Sequence, residues 1–449
     1  MAKTERGVSG VARRKSTVIL VLLTLAVLLL SPWASAPAPT VKPASPSGGT
    51  EALPSASPVG EEPAELAVTA DVGMSEFETL QAQNEAFRLR HPDVSVELRR
   101  QDPAEAGRRW NGEGWSPDGA DIWLVPNEWV TALAVAGELL PADEVFVGEA
   151  ISEPFDSLVS QLKWNGYVWA VPRDMDPYVV VWNTEVLSAL RAEGETKFSP
   201  PLSPEAWREL PGKLAETGLN AGWLAIDGSD PLALLAWIGL FANRREDAPL
   251  TSAGQASDGG ALEQALSLLA EARSGIRSGP LTPAFWRSFA AGEAAAVVAR
   301  NSAATRALRT LSGSEAAALA IDRSAWNRDF VWPGGVSIVL SAKTKHEEAA
   351  RVWAAEMTSK DNQLQNYRQT GRLPVSRSLY SEAYGIEEAL SDSGLRGFPN
   401  EPALASGPEV ASRLAEIGAL WSGLLDGSVA PERWKALATE LFADFKRDR

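Results

Sequence analysis

Short apolar runs alternate with amphipathic stretches along most of the chain, and their spacing predicts an α/β order. Leu66 to Ala70 is a β-like run, and Ser75 to Glu78 has the Ser-x-x-Glu form of a helix N-cap box. Phe77, Leu80 and Phe87 then fall on one helical face. After the turn signal His91-Pro92-Asp93, Val94, Val96 and Leu98 alternate with polar neighbours as a half-buried strand does. Strand, helix and strand open an α/β domain. Asp121 to Val125 reads as a further strand, followed by the turn Pro126-Asn127 and an Ala-rich helix from Glu128 to Glu138 that stops near Gly137. Ligands in open α/β sheets collect beyond the carboxyl ends of strands, which makes Asp71, Asn127, Glu128 and Trp129 candidate binding residues.

The middle of the chain holds the most unusual pattern. Two β-rich runs, Tyr167 to Val171 and Tyr178 to Trp182, flank Arg173-Asp174-Met175-Asp176-Pro177, and Pro172 interrupts any helix or central ladder. Charges squeezed between apolar strands are costly to bury without partners or ligands, so this segment is predicted as a hinge and a site. Beyond it the periodicity predicts helices over Pro201 to Leu214 with Trp207, around Leu232 to Phe241, and around Leu262, Leu266 and Leu269. Arg273 to Pro283 reads as a loop, Gly292 to Ala299 leads into a strand, and Trp332-Pro333-Gly334-Gly335 turns into the strand Val336 to Leu340. Ala350, Trp353 and Met357 share one face of a helix over Glu347 to Met357, and Val410, Leu414, Ile417, Trp421 and Leu424 share another near the C-terminus.

The N-terminus changes the picture. Arg13-Arg14-Lys15 precedes an apolar run from Val18 to Leu30, the pattern of an export signal or a membrane anchor. The run is nearer a signal core than a spanning helix in length, whereas Pro37 directly after Ala34-Ser35-Ala36 obstructs cleavage there. Residues 1–36 are therefore read as signal peptide or anchor, and the Pro/Ala/Ser-rich residues 37–65 as an extended tether. The chain has no cysteine, which excludes disulfides, cysteine-ligated zinc, a thiol nucleophile and a lipid-modified cysteine. Its net charge is −16, and with the five basic residues and one glutamate of residues 1–16 set aside, −20 remains on the rest. An anionic body argues against a nucleic-acid partner. Nucleotide-binding glycine motifs are absent and the two histidines lack metal-site spacing, so no cofactor or metal is implied.

Seven segments in order carry a resemblance: FRLRHPDVSVELR at 87–99, DIWLVPNEW at 121–129 followed by AVAGELLPADE, LKWNGYVWAVPRDMDPYVVVWNTEVL at 162–187, SPEAWREL at 203–210, GEAAAVVARNSA at 292–303, PGGVSIVLSAKTKHEEAARVWAAEMTS at 333–359 and TGRLPVSRS at 370–378. Taken together they resemble the extracellular solute-binding family that includes the maltose- and oligosaccharide-binding components of ABC transporters. The resemblance implies a two-lobed periplasmic-binding-protein-like fold (type II), each lobe a mixed sheet flanked by helices, closing on a ligand by hinge bending. Carried onto this chain, lobe 1 is 66–174 plus 332–370 and lobe 2 is 175–331 plus 371–449. Ligand contacts are then expected at Asp71, Asn127 and Glu128, at Asp176, near Arg300 to Ser302 including Asn301, and over Trp332 to Gly335 including Gly334.

The chain departs from the sugar-binding pattern where many members carry a Gly-Pro-Trp or Gly-Ser-Trp turn. Here Arg300-Asn301-Ser302 removes a stacking ring and adds a cation, and Leu232 follows Pro231 where the maltose-type site has an aromatic. A sugar is thus the family default. Of the 17 tryptophans, Trp207, Trp353 and Trp421 sit at helix-face spacing and read as core, while Trp129, Trp237 and Trp332 are the cleft candidates. Asp174 and Asp176 have the two-residue spacing of a carboxylate pair, but nothing places a scissile bond between them; ligand contact or hinge ion pairing with a cation such as Arg173 fits better than catalysis. The expected function is capture of a small ligand, by default a sugar, for delivery to ABC permease subunits, with a surface receptor or sensor of the same fold as the alternative.

Overall fold

The computed structural model describes residues 63–101, 119–143, 145, 154–191, 196–241, 260–327, 332–380, 386 and 407–443. The predicted signal or anchor and nearly all of the tether lie outside them.

The strands, in chain order, are β1 (Ala64–Asp71), β2 (Val94–Gln101), β3 (Ile122–Pro126), β4 (Leu139–Leu140), β5 (Lys163–Trp164), β6 (Tyr167–Val168), β7 (Val171–Pro172), β8 (Tyr178–Asn183), β9 (Leu224–Ile226), β10 (Ile276–Ser278), β11 (Ala296–Arg300), β12 (Leu319–Asp322) and β13 (Val336–Ser341). β1 begins at Ala64, two residues before the predicted start of lobe 1. A larger sheet has the order β2-β1-β3-β13-β4, with β7 also on β13; β1, β2 and β3 are parallel and β13 runs against β3. A second sheet has the order β10-β9-β11-β8-β12, with β9, β10 and β11 parallel and β8 antiparallel to both neighbours.

Both sheets are covered on both faces, which explains why their central strands read as unbroken apolar runs. In β3, Ile122 and Leu124 point to one core with Leu80, Phe87 and Trp353, while Trp123 and Val125 point to another with Val130 and Leu133. β8 divides likewise: Tyr178, Val180 and Trp182 face the cluster that holds Trp207 and Trp421, and Val179 and Val181 face the cluster of Trp286 and Phe289. The strand period of two makes this partition.

Three sequence expectations are corrected. The run Tyr167 to Val171 is not one strand: Asn165 and Gly166, at φ 49 and 85, turn β5 into β6, and Val171–Pro172 pairs separately with β13. Asn-Gly is the pair such tight hairpins select. Ser75 is not an N-cap, because the helix Met74–Arg90 is capped at Gly73, leaving the Ser75 hydroxyl free to bond elsewhere. The stretch Arg273 to Pro283 contains β10, which joins β9 as a parallel partner.

The two sheets are joined where three chain segments lie side by side. Met175 and Leu373 exchange backbone hydrogen bonds at 2.9 and 2.8 Å, the Asp176 N–H donates to the Pro333 carbonyl at 2.9 Å, and the Arg173 N–H donates to that of Val336 at 3.0 Å. Residues 173–176, 333–336 and 371–373 thus form a bonded three-segment junction.

Candidate functional site

A cavity of about 580 Å³ opens beside this junction, at the carboxyl ends of β1, β3 and β11. One wall comes from the larger sheet: Asp71 ends β1, Ser75 and Glu76 stand in the first turn of the following helix, and Glu128 lies in the 3-10 turn after β3. The opposite wall comes from the second sheet and the junction, with Asp176, Arg300, Ser302, Arg306 and Arg372. The location obeys the rule that strand carboxyl ends present a site in open α/β sheets, here from two sheets facing one space.

Arg372 organises the charges. Its Nε lies 3.3 Å from Glu76 Oε1, its Nη1 2.9 Å from Asp174 Oδ1 and its Nη2 3.9 Å from Asp176 Oδ2. Burial alone would lower the Arg372 pKa, but Asp174, Asp176 and Glu76 together raise it. Burial likewise works against ionised Glu76, yet Arg372, Arg306 and its own backbone N–H bring its pKa below the usual value. Asp176 is the opposite case: burial dominates Arg372, Arg300 and Ser302, and its pKa is raised. Arg300, about one-third exposed, donates through Nε and Nη2 to Asp230 Oδ2 and lies 5.1 Å over the Tyr178 ring, whose hydroxyl bonds the same carboxylate.

Glu128 differs from the other carboxylates. Burial raises its pKa against its own backbone N–H and Arg300, and its Oε2 is a buried oxygen with no hydrogen-bond partner among the described residues. An unmet buried acceptor costs about 1–3 kcal/mol, so this atom is available to a donor entering the cavity.

Of the residues expected from sequence, Asp71, Glu128, Asp176, Arg300, Ser302 and Gly335 line the cavity together. The others do not. Asn127 is fully buried, donating to the Gly334 carbonyl at 2.6 Å and accepting from Ser337 at 2.5 Å. Asn301 bonds the Gly371 carbonyl at 3.0 Å and Arg323 at 3.1 Å. Asp174 is held by Arg372, the Val336 N–H and Asn366, so its cation partner is Arg372 and not the expected Arg173, which instead donates to Gln83. Gly334, at φ 57, packs under Asp176 as part of the junction. Trp129 is not among the lining residues. Trp332 lines a separate apolar pocket of about 40 Å³ with Tyr178 and Trp326.

Trp237 is the clearest correction. It is fully buried, packed at 5.0 Å against Trp207 and 5.5 Å against Trp223, and its Nε1 donates to the Ala265 carbonyl. The helix Pro231–Gly239 is apolar on nearly every side, and a ring at its seventh position packs inward. Among the described residues, no aromatic side chain lines the 580 Å³ cavity.

Glu76, Arg306 and Arg372 were not anticipated. A signal existed for two of them: Glu76 follows Asp71 by five residues and Arg306 follows Arg300 by six, each in the helix after a strand whose end was already a candidate.

Residues 82–389 match the profile of a family described as bacterial extracellular solute-binding protein. No curated protein matches the sequence. Among solved structures, the GacH receptor of Streptomyces glaucescens, studied unliganded and with acarbose, is 18% identical, with 86% of this chain and 100% of that one covered at a TM-score of 0.68. A solute-binding protein of an ABC transporter from Thermotoga lettingae, bound with α-D-tagatose, is 15% identical over 85% of this chain and 99% of its own, at 0.64. The maltodextrin-binding domain from Bdellovibrio bacteriovorus, bound to maltotriose, is 16% identical over 86% and 100%, at 0.63. These likenesses show the fold: two-lobed, of the type II periplasmic-binding-protein class.

Proposed function

We propose, from the premise that the chain belongs to the bacterial extracellular solute-binding protein family, that it captures a small carbohydrate in the 580 Å³ cavity and hands it to an ABC permease. The observation that carries this reading is the construction of the cavity, whose walls come from the strand ends of two different sheets. A solute held between them contacts both at once, and only a closed arrangement offers both sets of contacts, so binding favours closure by population shift. Nothing is bonded or cleaved in this cycle.

The lobes are taken as 66–174 with 332–370 and 175–331 with 371–449, and the three hydrogen-bonded segments at their boundaries support a hinge there. Carboxylate oxygens and guanidinium groups accept from and donate to sugar hydroxyls, and the partnerless Glu128 oxygen supplies an acceptor that a hydroxyl satisfies. The sugar-bound structures of like fold, with maltotriose and α-D-tagatose, favour a saccharide. The protein acts outside the cytoplasm, and the apolar run Val18 to Leu30 either holds it at the membrane or directs its release.

Calorimetric titration and thermal shift against oligosaccharides, monosaccharides and polyols test the reading. A ligand of the native state at a hundredfold excess over its Kd stabilises by about 2.7 kcal/mol. A saccharide that binds the parent chain and not folded Glu128→Ala supports the proposal. Saturable binding of amino acids or polyamines with none of any saccharide overturns the carbohydrate assignment.

A further inference from the structure

The cavity rim is bridged by a charged contact between the two sheets' own helices. Arg306 belongs to the helix Asn301–Thr310, which follows β11 of the second sheet. Its Nη1 donates to Ser75 Oγ at 2.6 Å and lies 3.5 Å from Glu76 Oε1. Ser75 and Glu76 stand in the first turn of the helix Met74–Arg90, which follows β1 of the larger sheet. The Arg306 side chain is 42% exposed and that of Glu76 only 5%, so an exposed cation at the rim reaches a carboxylate already fixed by Arg372. Gly73 makes room for this, because a Cβ there would lie 2.3 Å from Glu76 Oε2. A second bridge, from the Thr131 hydroxyl to the Gly407 carbonyl at 2.8 Å, carries no charge.

We propose that Arg306 is a positioning residue that latches the cleft shut across Ser75 and Glu76 before any solute arrives. The contact requires no ligand, so it shifts the solute-free equilibrium toward closure and lessens what solute binding must supply. An exposed ion pair of this kind is weak, worth a factor of about two to five in the closed-to-open ratio, which suits a latch that must release. Salt screens it, whereas the uncharged Thr131 bridge is insensitive to salt. The latch rests on the reading of the cavity as a solute site only in its consequence for affinity.

The absence of cysteine permits a clean distance measurement. Spin labels on Leu89→Cys and Leu219→Cys, exposed positions beside the larger and second sheets, report the opening of the full-length chain without any solute. The expected result is a closed-to-open ratio about two- to fivefold lower in Arg306→Gln than in the parent, with partial recovery in Arg306→Lys. Raising salt from about 0.01 M to about 1 M moves the parent toward the Arg306→Gln distribution and moves that variant less, because its remaining charged contacts, those of Arg372, are buried. Identical distributions for parent and Arg306→Gln overturn the latch. So does weaker solute binding in Arg306→Gln with no change in its solute-free distances, which makes Arg306 a plain solute contact. Because no solute enters the distance measurement, its result is independent of whether the ligand is a sugar.

Discussion

Asp176 accepts two hydrogen bonds from a single residue, Ser302: the backbone N–H reaches Oδ1 at 2.9 Å and the hydroxyl reaches Oδ2 at 2.6 Å. Asp176 belongs to the three-segment junction, and Ser302 is the second residue of the helix that follows β11. The carboxylate therefore caps that helix from a distant part of the chain, with the added attraction of a charge near a helix N-terminus.

It follows that Asp176→Ala removes a cap as well as a wall of the cavity. The expected loss is about 1–3 kcal/mol of stability, since two hydrogen bonds to a carboxylate vanish and Ser302 N–H is left buried. Asp176→Asn keeps one acceptor for that N–H and loses less. Urea unfolding of both variants checks this, and equal midpoints for Asp176→Ala and the parent contradict the capping role.

Two cavity carboxylates should respond to pH with opposite signs. Glu128, whose burial outweighs its backbone N–H and Arg300, has a native pKa above its ordinary 4.5. The native state then binds a proton more readily than the unfolded one, and this contribution is full below 4.5 and lost as pH rises through the native value. Glu128→Gln escapes the loss, so it gains stability over the parent above that window and not at acid pH. Glu76 lies below 4.5, because Arg372 and Arg306 overcome its burial; its contribution is present above 4.5 and lost as pH falls through the native value. Glu76→Gln is accordingly less stable than the parent at neutral pH, and the gap narrows on acidification. Denaturant midpoints of the three proteins across the acid-to-neutral range test the pair, and parallel curves refute both.

The elements legible in the sequence were those whose pattern is long and one-sided. The helix Glu347–Met357 appears with the predicted bounds and with Ala350, Trp353 and Met357 buried, and β13 follows the Trp332 to Gly335 turn as expected. β9, β10 and β12 were not legible, because three or four residues carry too little periodicity and their strand form is imposed by neighbours in the sheet. The site divides the same way. Asp71, Glu128 and Arg300 stand at strand ends, where a general rule points, whereas Arg372 reaches the cavity only because the third junction segment folds back beside Asp174 and Asp176. Asn127 and Asn301 bond the backbone instead of lining the cavity, because an amide at a strand end serves a crossing segment as readily as a ligand.

Trp237 provides a test that separates core from cleft. Its ring fills a cluster with Trp207, Trp223 and Phe241, so Trp237→Ala should cost about 3–5 kcal/mol through the cavity it leaves. Trp237→Phe retains most of the packing and should bind solute as the parent does, because the ring is not part of the polar cavity that the carboxylates and guanidinium groups wall. Loss of solute binding in a stably folded Trp237→Phe would return this residue to the site.

Gly335 concentrates the demands of the junction in one position. Its φ of 98 belongs to the region that side chains rarely adopt, and a Cβ would lie 2.1 Å from the Asp174 carbonyl oxygen, a backbone atom that cannot rotate away. The Gly335 carbonyl also accepts the Asn127 N–H at 3.2 Å, so moving the segment to relieve the clash disturbs the turn that carries Glu128. Gly335→Ala should therefore cost at least about 1–3 kcal/mol in stability and weaken solute binding at temperatures where the variant remains folded. Gly212 is the matched control: it is helical, and a Cβ added there would meet nothing within 4 Å, so Gly212→Ala should be neutral or stabilising by up to about 1 kcal/mol. Thermal and urea unfolding of the two alanine variants decides the point. Similar stability for both would mean that the 173–176 and 333–336 segments separate readily, and the junction would then be too loose to act as the hinge proposed for it.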